Sequence, residues 1–83
     1  MNWGKYCGLV RLIVNRYGGE YRYIPSGKTY DPGQMLCVLT YGEDWMKSKE
    51  WTEDNEAADA PSRAVAIAEE ILREGLPESI EIA

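Results

Sequence analysis

The chain contains no histidine. That removes the commonest general base, the commonest metal ligand and the usual partner of a nucleophilic serine or cysteine. Cysteine is scarce too: Cys7 and Cys37 stand thirty residues apart, in no metal-binding or redox spacing. No apolar run is long enough to span a bilayer. The early run Leu9 to Val14 is short and broken by Arg11, so it does not read as a signal peptide. The expectation is a cytoplasmic protein with reduced thiols, a disulfide entering only if the fold brings the two cysteines close.

A phosphate-binding loop is missing as well. Gly27-Lys28-Thr29 has its tail, but Arg22 and Tyr23 stand where the earlier glycine belongs. No acid-x-lysine triplet occurs. The neighbouring acids Glu43/Asp44, Glu53/Asp54 and Glu69/Glu70 point apart on any helix or strand, so they do not converge on a metal or a scissile bond. No catalytic residue, cofactor or metal ligand is assigned, and no enzymatic activity is expected.

What is present is one small core's worth of chain. Eighty-three residues, 45% hydrophobic and 28% charged, suit a single soluble domain spanning 1–83. Its stability margin is only a few kcal/mol on the general scaling, so a partner or a second copy in a homodimer would add to it appreciably. The net charge of −5 is unevenly spread. Residues 1–30 carry five bases against Glu20 alone, a balance of +4, and residues 31–83 carry thirteen acids against four bases, a balance of −9. Two faces of opposite potential follow, unless the fold pairs them.

The clearest element is a helix within Ala60 to Pro77. Asp59 is the expected N-cap, Pro61 suits the first turn and Ser62 can serve the orphan donors there. Ala64, Val65, Ile67, Ala68, Ile71 and Leu72 fall on one arc of roughly 160°. Arg63, Glu69, Glu70, Arg73 and Glu74 fill the other side. Gly75 sits where a left-handed residue ends a helix, and Pro77 forbids continuation.

The remainder reads as strands. Met1 to Gly8 enters irregularly, with Trp3 or Tyr6 against the core. Leu9 to Asn15 has an apolar face at period two and a rival stripe of Tyr6, Leu9, Val10, Ile13 and Tyr17 at period 3.6; its β-branched content favours strand. Glu20 to Ile24 alternates and ends at Pro25. Ser26-Gly27-Lys28 and Asp31-Pro32-Gly33 are turn chemistry on either side of Tyr30. Met35 to Tyr41 is apolar on both parities, as in a strand covered on both faces. Trp45, Lys47, Lys49 and Trp51 share one parity of a fourth strand, Glu53 to Asp59 is an acidic connection, and Ser79 to Ile82 closes the chain as a strand with Ile80 and Ile82 inward. The expected fold is α+β: a small antiparallel sheet of four to five strands, order β-β-β-β-α-β, with one amphipathic helix on a face.

Two surfaces compete for the function. Glu50, Glu53, Asp54, Glu56 and Asp59 put five carboxylates in ten residues, with Glu70 and Glu74 exposed on the helix and Trp45 and Trp51 nearby. Such a row can imitate a phosphate backbone and occupy a basic, nucleic-acid-binding groove on a larger protein. The alternative is a nucleic-acid-binding module built on Arg16, Tyr21, Arg22, Tyr23 and Lys28, cations interleaved with π-faces. A sequence pI near 4.6 opposes it through phosphate repulsion.

The stretch Gly18-Gly19-Glu20-Tyr21-Arg22-Tyr23-Ile24-Pro25 resembles the glycine pair and Tyr-Ile-Pro strand that precede the DNA-reading helices of Mor-type phage activators. The likeness covers eight residues; turn and strand are expected after it, so the DNA-binding function is not carried over. In size, acidity and strand-then-helix order the chain is similar to small phage inhibitors of bacterial defence, anti-CRISPR and anti-restriction proteins among them. The expected function is therefore non-enzymatic protein binding, as an acidic inhibitor or adaptor.

Overall fold

The computed structural model describes residues 2–57 and 59–83, Asn2 by its backbone only. Met1 and Ala58, which fall inside the expected irregular entry and acidic connection, lie outside the described residues. Four helices are α1 (Asn2–Tyr17), α2 (Pro32–Tyr41), α3 (Lys49–Glu56) and α4 (Ser62–Glu74), and three strands are β1 (Tyr21–Tyr23), β2 (Lys28–Tyr30) and β3 (Ile80–Ile82). A 3₁₀ turn at Trp45–Lys47 leads into α3. The sheet is antiparallel in the order β2-β1-β3, with Tyr21 opposite both Tyr30 and Ile82. The α+β class holds, but four to five strands under one helix does not: the expected β-β-β-β-α-β order is replaced by α-β-β-α-α-α-β.

Three expected strands are helices. In α1 the 3.6-residue stripe prevails over the two-residue one. Tyr6 and Ile13 are buried, Leu9, Val10 and Tyr17 half-buried, and Leu12 and Val14 exposed. Gly18 ends the helix at φ +93°, its N–H donating to the Val14 carbonyl at 2.9 Å, a conformation that suits glycine. Met35–Tyr41 forms most of α2 because Asp31 and Gln34 make a capping box: the Asp31 carboxylate accepts from the Gln34 N–H at 2.7 Å, and Pro32 occupies the first turn. Trp45–Thr52 is a 3₁₀ turn and the start of α3, nucleated by Ser48 as N-cap.

Helix α4 lies within the expected span and ends at Gly75, φ +94°, whose N–H donates to the Ile71 carbonyl at 2.8 Å. Its N-cap is Pro61 rather than Asp59, with no side-chain cap bond, because Pro61 already holds the extended conformation of a capping residue. Ala64, Val65, Ala68 and Ile71 form its buried face, which packs on α1 and α2, while α2 also touches β1 and β2. The core so formed contains Ile13, Tyr21, Met35, Leu36 and Ile80. Ile80 faces inward as expected, but Ile82 is 45% exposed at the sheet edge. Tyr21 is buried with its hydroxyl unpartnered among the described residues. Burial raises the phenol's pKa, since ionisation inside the core is disfavoured.

A polar knot ties the β1–β2 hairpin to the end of α2. The Glu43 carboxylate accepts from the Ser26 hydroxyl at 2.6 Å and the Tyr30 hydroxyl at 2.7 Å. Those bonds favour the ionised acid and hold its pKa below the usual carboxylate value; the bond to Glu43 pushes Tyr30 up to about 12.

Candidate partner-binding site

Helix α3 buries none of its side chains. It carries Glu50, Glu53, Asp54 and Glu56 against Lys49 alone. What positions it is a set of polar and aromatic contacts. The Arg63 guanidinium, reaching over from the first turn of α4, pairs with Glu50 at 3.1 Å and Asp54 at 3.0 Å. It also lies over the Tyr41 ring, 4.7 Å from the centroid. The Tyr41 hydroxyl donates to the same Asp54 oxygen, Oδ2, at 2.5 Å. Burial and this bond to an anion push the Tyr41 pKa upward. Trp45 and Trp51 meet edge to face at 5.1 Å, fastening the 3₁₀ turn to α3.

Beside this arrangement runs an aromatic cleft. Trp3 and Tyr6 of α1, in edge contact at 5.4 Å, line it together with Tyr41 and Trp51, and Asp54 of α3 and Ala64 of α4 are also in the wall. Its cavity volume is about 30 Å³. On the far side of Trp3, Tyr6 and Cys37 the surface widens into an open apolar groove of about 400 Å³, where Cys7, Val10 and Trp45 join the wall. Both cysteines are free thiols. Burial pushes the Cys37 thiol upward, the Trp51 indole N–H opposing the shift.

The expected acidic face is only partly assembled. Asp54 and Glu50 are engaged by Arg63, and Glu53 pairs loosely with Lys49 at 3.8 Å. Glu56 and Asp59 are exposed and form no ion pair among the described residues. Glu70 and Glu74 follow Arg63 by seven and eleven residues, spacings that keep them on its face of α4. With Glu78 they border a shallow groove beside Ile67 and Leu76. Trp45 and Trp51 are half-buried and stand at the cleft and groove rather than free in solvent.

The basic set is placed differently. Arg16 donates to the Leu72 carbonyl at the end of α4 and lies over Tyr17. Arg22 pairs with Glu81 across β1 and β3 at 2.7 Å. Tyr21 is 1% exposed, Tyr23 half-buried, and Lys28 exposed on β2. Trp3, Tyr6, Tyr41 and Arg63 are site residues that sequence reasoning left unassigned. The period-3.6 stripe through Tyr6 was a signal for one of them; the meeting of Tyr41, Asp54 and Arg63 from three helices had none.

Among the described residues no group of three or more Cys, Asp or Glu is placed to hold a metal ion, and no helix is long and apolar enough to cross a membrane. No family model matches the chain, and no curated protein or solved structure matches it.

Proposed function

We propose that the chain is a protein-binding module that docks on a basic surface of a larger protein, as an inhibitor or adaptor of a nucleic-acid-binding partner. The observation that carries this reading is α3: an acidic helix with no buried side chain, set against an aromatic cleft. Its carboxylates supply long-range attraction, and the neighbouring rings supply apolar area that becomes dry on contact. The same helix disfavours a nucleic-acid reading, since its four carboxylates repel phosphate. Both arginines of that alternative, Arg16 and Arg22, are occupied within the fold, by the Leu72 carbonyl and by Glu81.

The test reverses Glu53 and Glu56 to lysine, residues outside the Arg63 contacts, so the anchoring of α3 is kept. The parent chain, used as bait on extracts of its native host, is expected to retain a protein that the double variant does not. A gel-shift titration with single- and double-stranded DNA and RNA at physiological salt is expected to show no complex. Retardation of nucleic acid there, or equal capture by the variant, would overturn the proposal.

A further inference from the structure

The aromatic cleft has the lining and the charge of a receptor for a small cation. Its cavity of about 30 Å³ has room for a group the size of a water molecule. An ammonium group is of that size, and the protein's own Arg63 lies over the Tyr41 ring without forming part of the cleft wall. Trp3, Tyr6, Tyr41 and Trp51 line the cleft, and aromatic faces attract cations most strongly where water is thinned out.

A cation in an apolar cleft requires a counter-charge, and one is in place. Asp54 borders the cleft, and both of its described bonds, from Tyr41 and Arg63, fall on Oδ2. Oδ1 has no hydrogen-bond partner among the described residues. The cluster of Glu50, Asp54 and Arg63 carries two negative charges and one positive, so a single monocation brings it to neutrality. Leu36 and Ala64 give the wall an apolar stretch, beside the polar Thr40 and Asn55, that suits the methylene stem preceding an ammonium group.

We propose that this cleft binds an alkylammonium group, the ε-ammonium of a lysine on the partner, held by the four aromatic side chains and Asp54 Oδ1. The inference deepens the docking proposal above and rests on it for the source of the lysine. The attraction of the acidic helix then serves to deliver one defined side chain to one defined place.

The experiment uses the intact chain labelled with ¹⁵N and follows the indole N–H signals of Trp3 and Trp51. Two probes are titrated: N-acetyl-lysine methylamide, and N-acetyl-norleucine methylamide, which replaces the ammonium by a methyl group. The lysine derivative is expected to shift both indole signals saturably, with an affinity at least about tenfold above that of the norleucine derivative, the worth of one charge-assisted hydrogen bond. Asp54→Asn should reduce the lysine derivative to the norleucine level; because that change also disturbs Arg63 and Tyr41, the two-probe comparison on the parent chain stands alone. Equal binding of the two probes, no saturable shift with lysine, or shifts confined to the Glu70–Glu74 groove would overturn the proposal. Loss of partner capture in the Glu53/Glu56 variant together with an unresponsive cleft would leave the docking reading standing and remove this one. A responsive cleft with capture untouched by charge reversal would remove the docking reading and, with it, the partner as the source of the lysine, while the alkylammonium site itself would stand.

Discussion

Truncating Ile71 to alanine is the perturbation that bears most directly on how the helices are held together. Ile71 is 3% exposed, and its carbonyl accepts from both the Gly75 N–H at 2.8 Å and the Tyr17 hydroxyl at 3.4 Å. The side chain therefore lies where the ends of α1 and α4 meet, while its backbone bonds survive the substitution. Removing a buried isoleucine to alanine costs ~2–5 kcal/mol, depending on how far the cavity collapses. At ~0.05–0.15 kcal/mol per residue, a chain of this length has a total stability of only ~4–12 kcal/mol. With a urea slope of ~1 kcal/mol per molar for a small protein, the midpoint should fall by ~2 M or more at unchanged slope. The neighbouring Leu72 is half-buried. Leu72→Ala should therefore cost distinctly less, ~1–2 kcal/mol, since less apolar surface is returned to water. Urea unfolding followed by tryptophan fluorescence and far-ultraviolet circular dichroism measures both. If Leu72→Ala lowers the midpoint as much as Ile71→Ala, the packing of α4 against α1 and α2 is not as described.

Gly75→Ala should lose roughly 1 kcal/mol, from the positive φ rather than from crowding; the nearest atom to the added methyl, the Tyr17 hydroxyl, is a comfortable 3.8 Å away. A variant with an unchanged urea midpoint would contradict the left-handed geometry. The Glu43 knot predicts pH dependence at both ends. Its carboxyl pKa is lowered in the fold, so the contribution is present above the ordinary carboxylate value and is lost as pH falls through the folded one. Tyr30, pushed up to about 12, contributes below the ordinary tyrosine value and ceases to as pH rises through about 12. Thermal midpoints of parent and Glu43→Gln between pH 2 and 7 should converge toward the acid end, and parallel curves would refute the assignment. Cys7, exposed, should react with a disulfide reagent faster than the half-buried Cys37, whose thiol is pushed up by burial. A single phase accounting for both thiols would count against the placement of Cys37.

The elements legible in the residues are those whose periodicity and boundaries agree. Helix α4 has one unbroken apolar arc and a glycine stop, and β1 and β3 alternate between turn residues. Helix α2 was not legible because Met35 to Tyr41 is apolar on both parities, and a short continuous apolar run fits a buried strand as well as a buried helix. The deciding signal was outside the run, in Asp31-Pro32-Gly33-Gln34, which has the residues of a turn and of a capping box at once. In α1 the glycines at 4 and 8 and the β-branched residues argue against helix locally, yet packing of Tyr6, Ile13 and Tyr17 against α4 outweighs propensity. The acids of α3 were legible as a charged segment. Their role around Arg63 was not, since ion pairs between Arg63 and residues nine and thirteen positions away on another helix follow from no local spacing.

Helix α3 is moored to the molecule rather than built into it, and its ties to α4 are electrostatic. The Arg63 pairs are partly solvated, with side-chain exposures of 45%, 71% and 32% for Arg63, Glu50 and Asp54. The range of charge interactions shrinks from about 10 Å at 0.1 M salt to about 3 Å at 1 M. Added salt therefore acts on this protein at two points: it shortens the reach of the acidic helix toward a basic partner, and it loosens the tie that fixes where that helix points. Amide exchange in α3 should quicken with ionic strength while the Ile71 and Tyr21 core stays protected. An ionic-strength series of partner affinity should then fall more steeply than charge screening between two rigid bodies allows, a steepness that belongs to the short tether at Arg63.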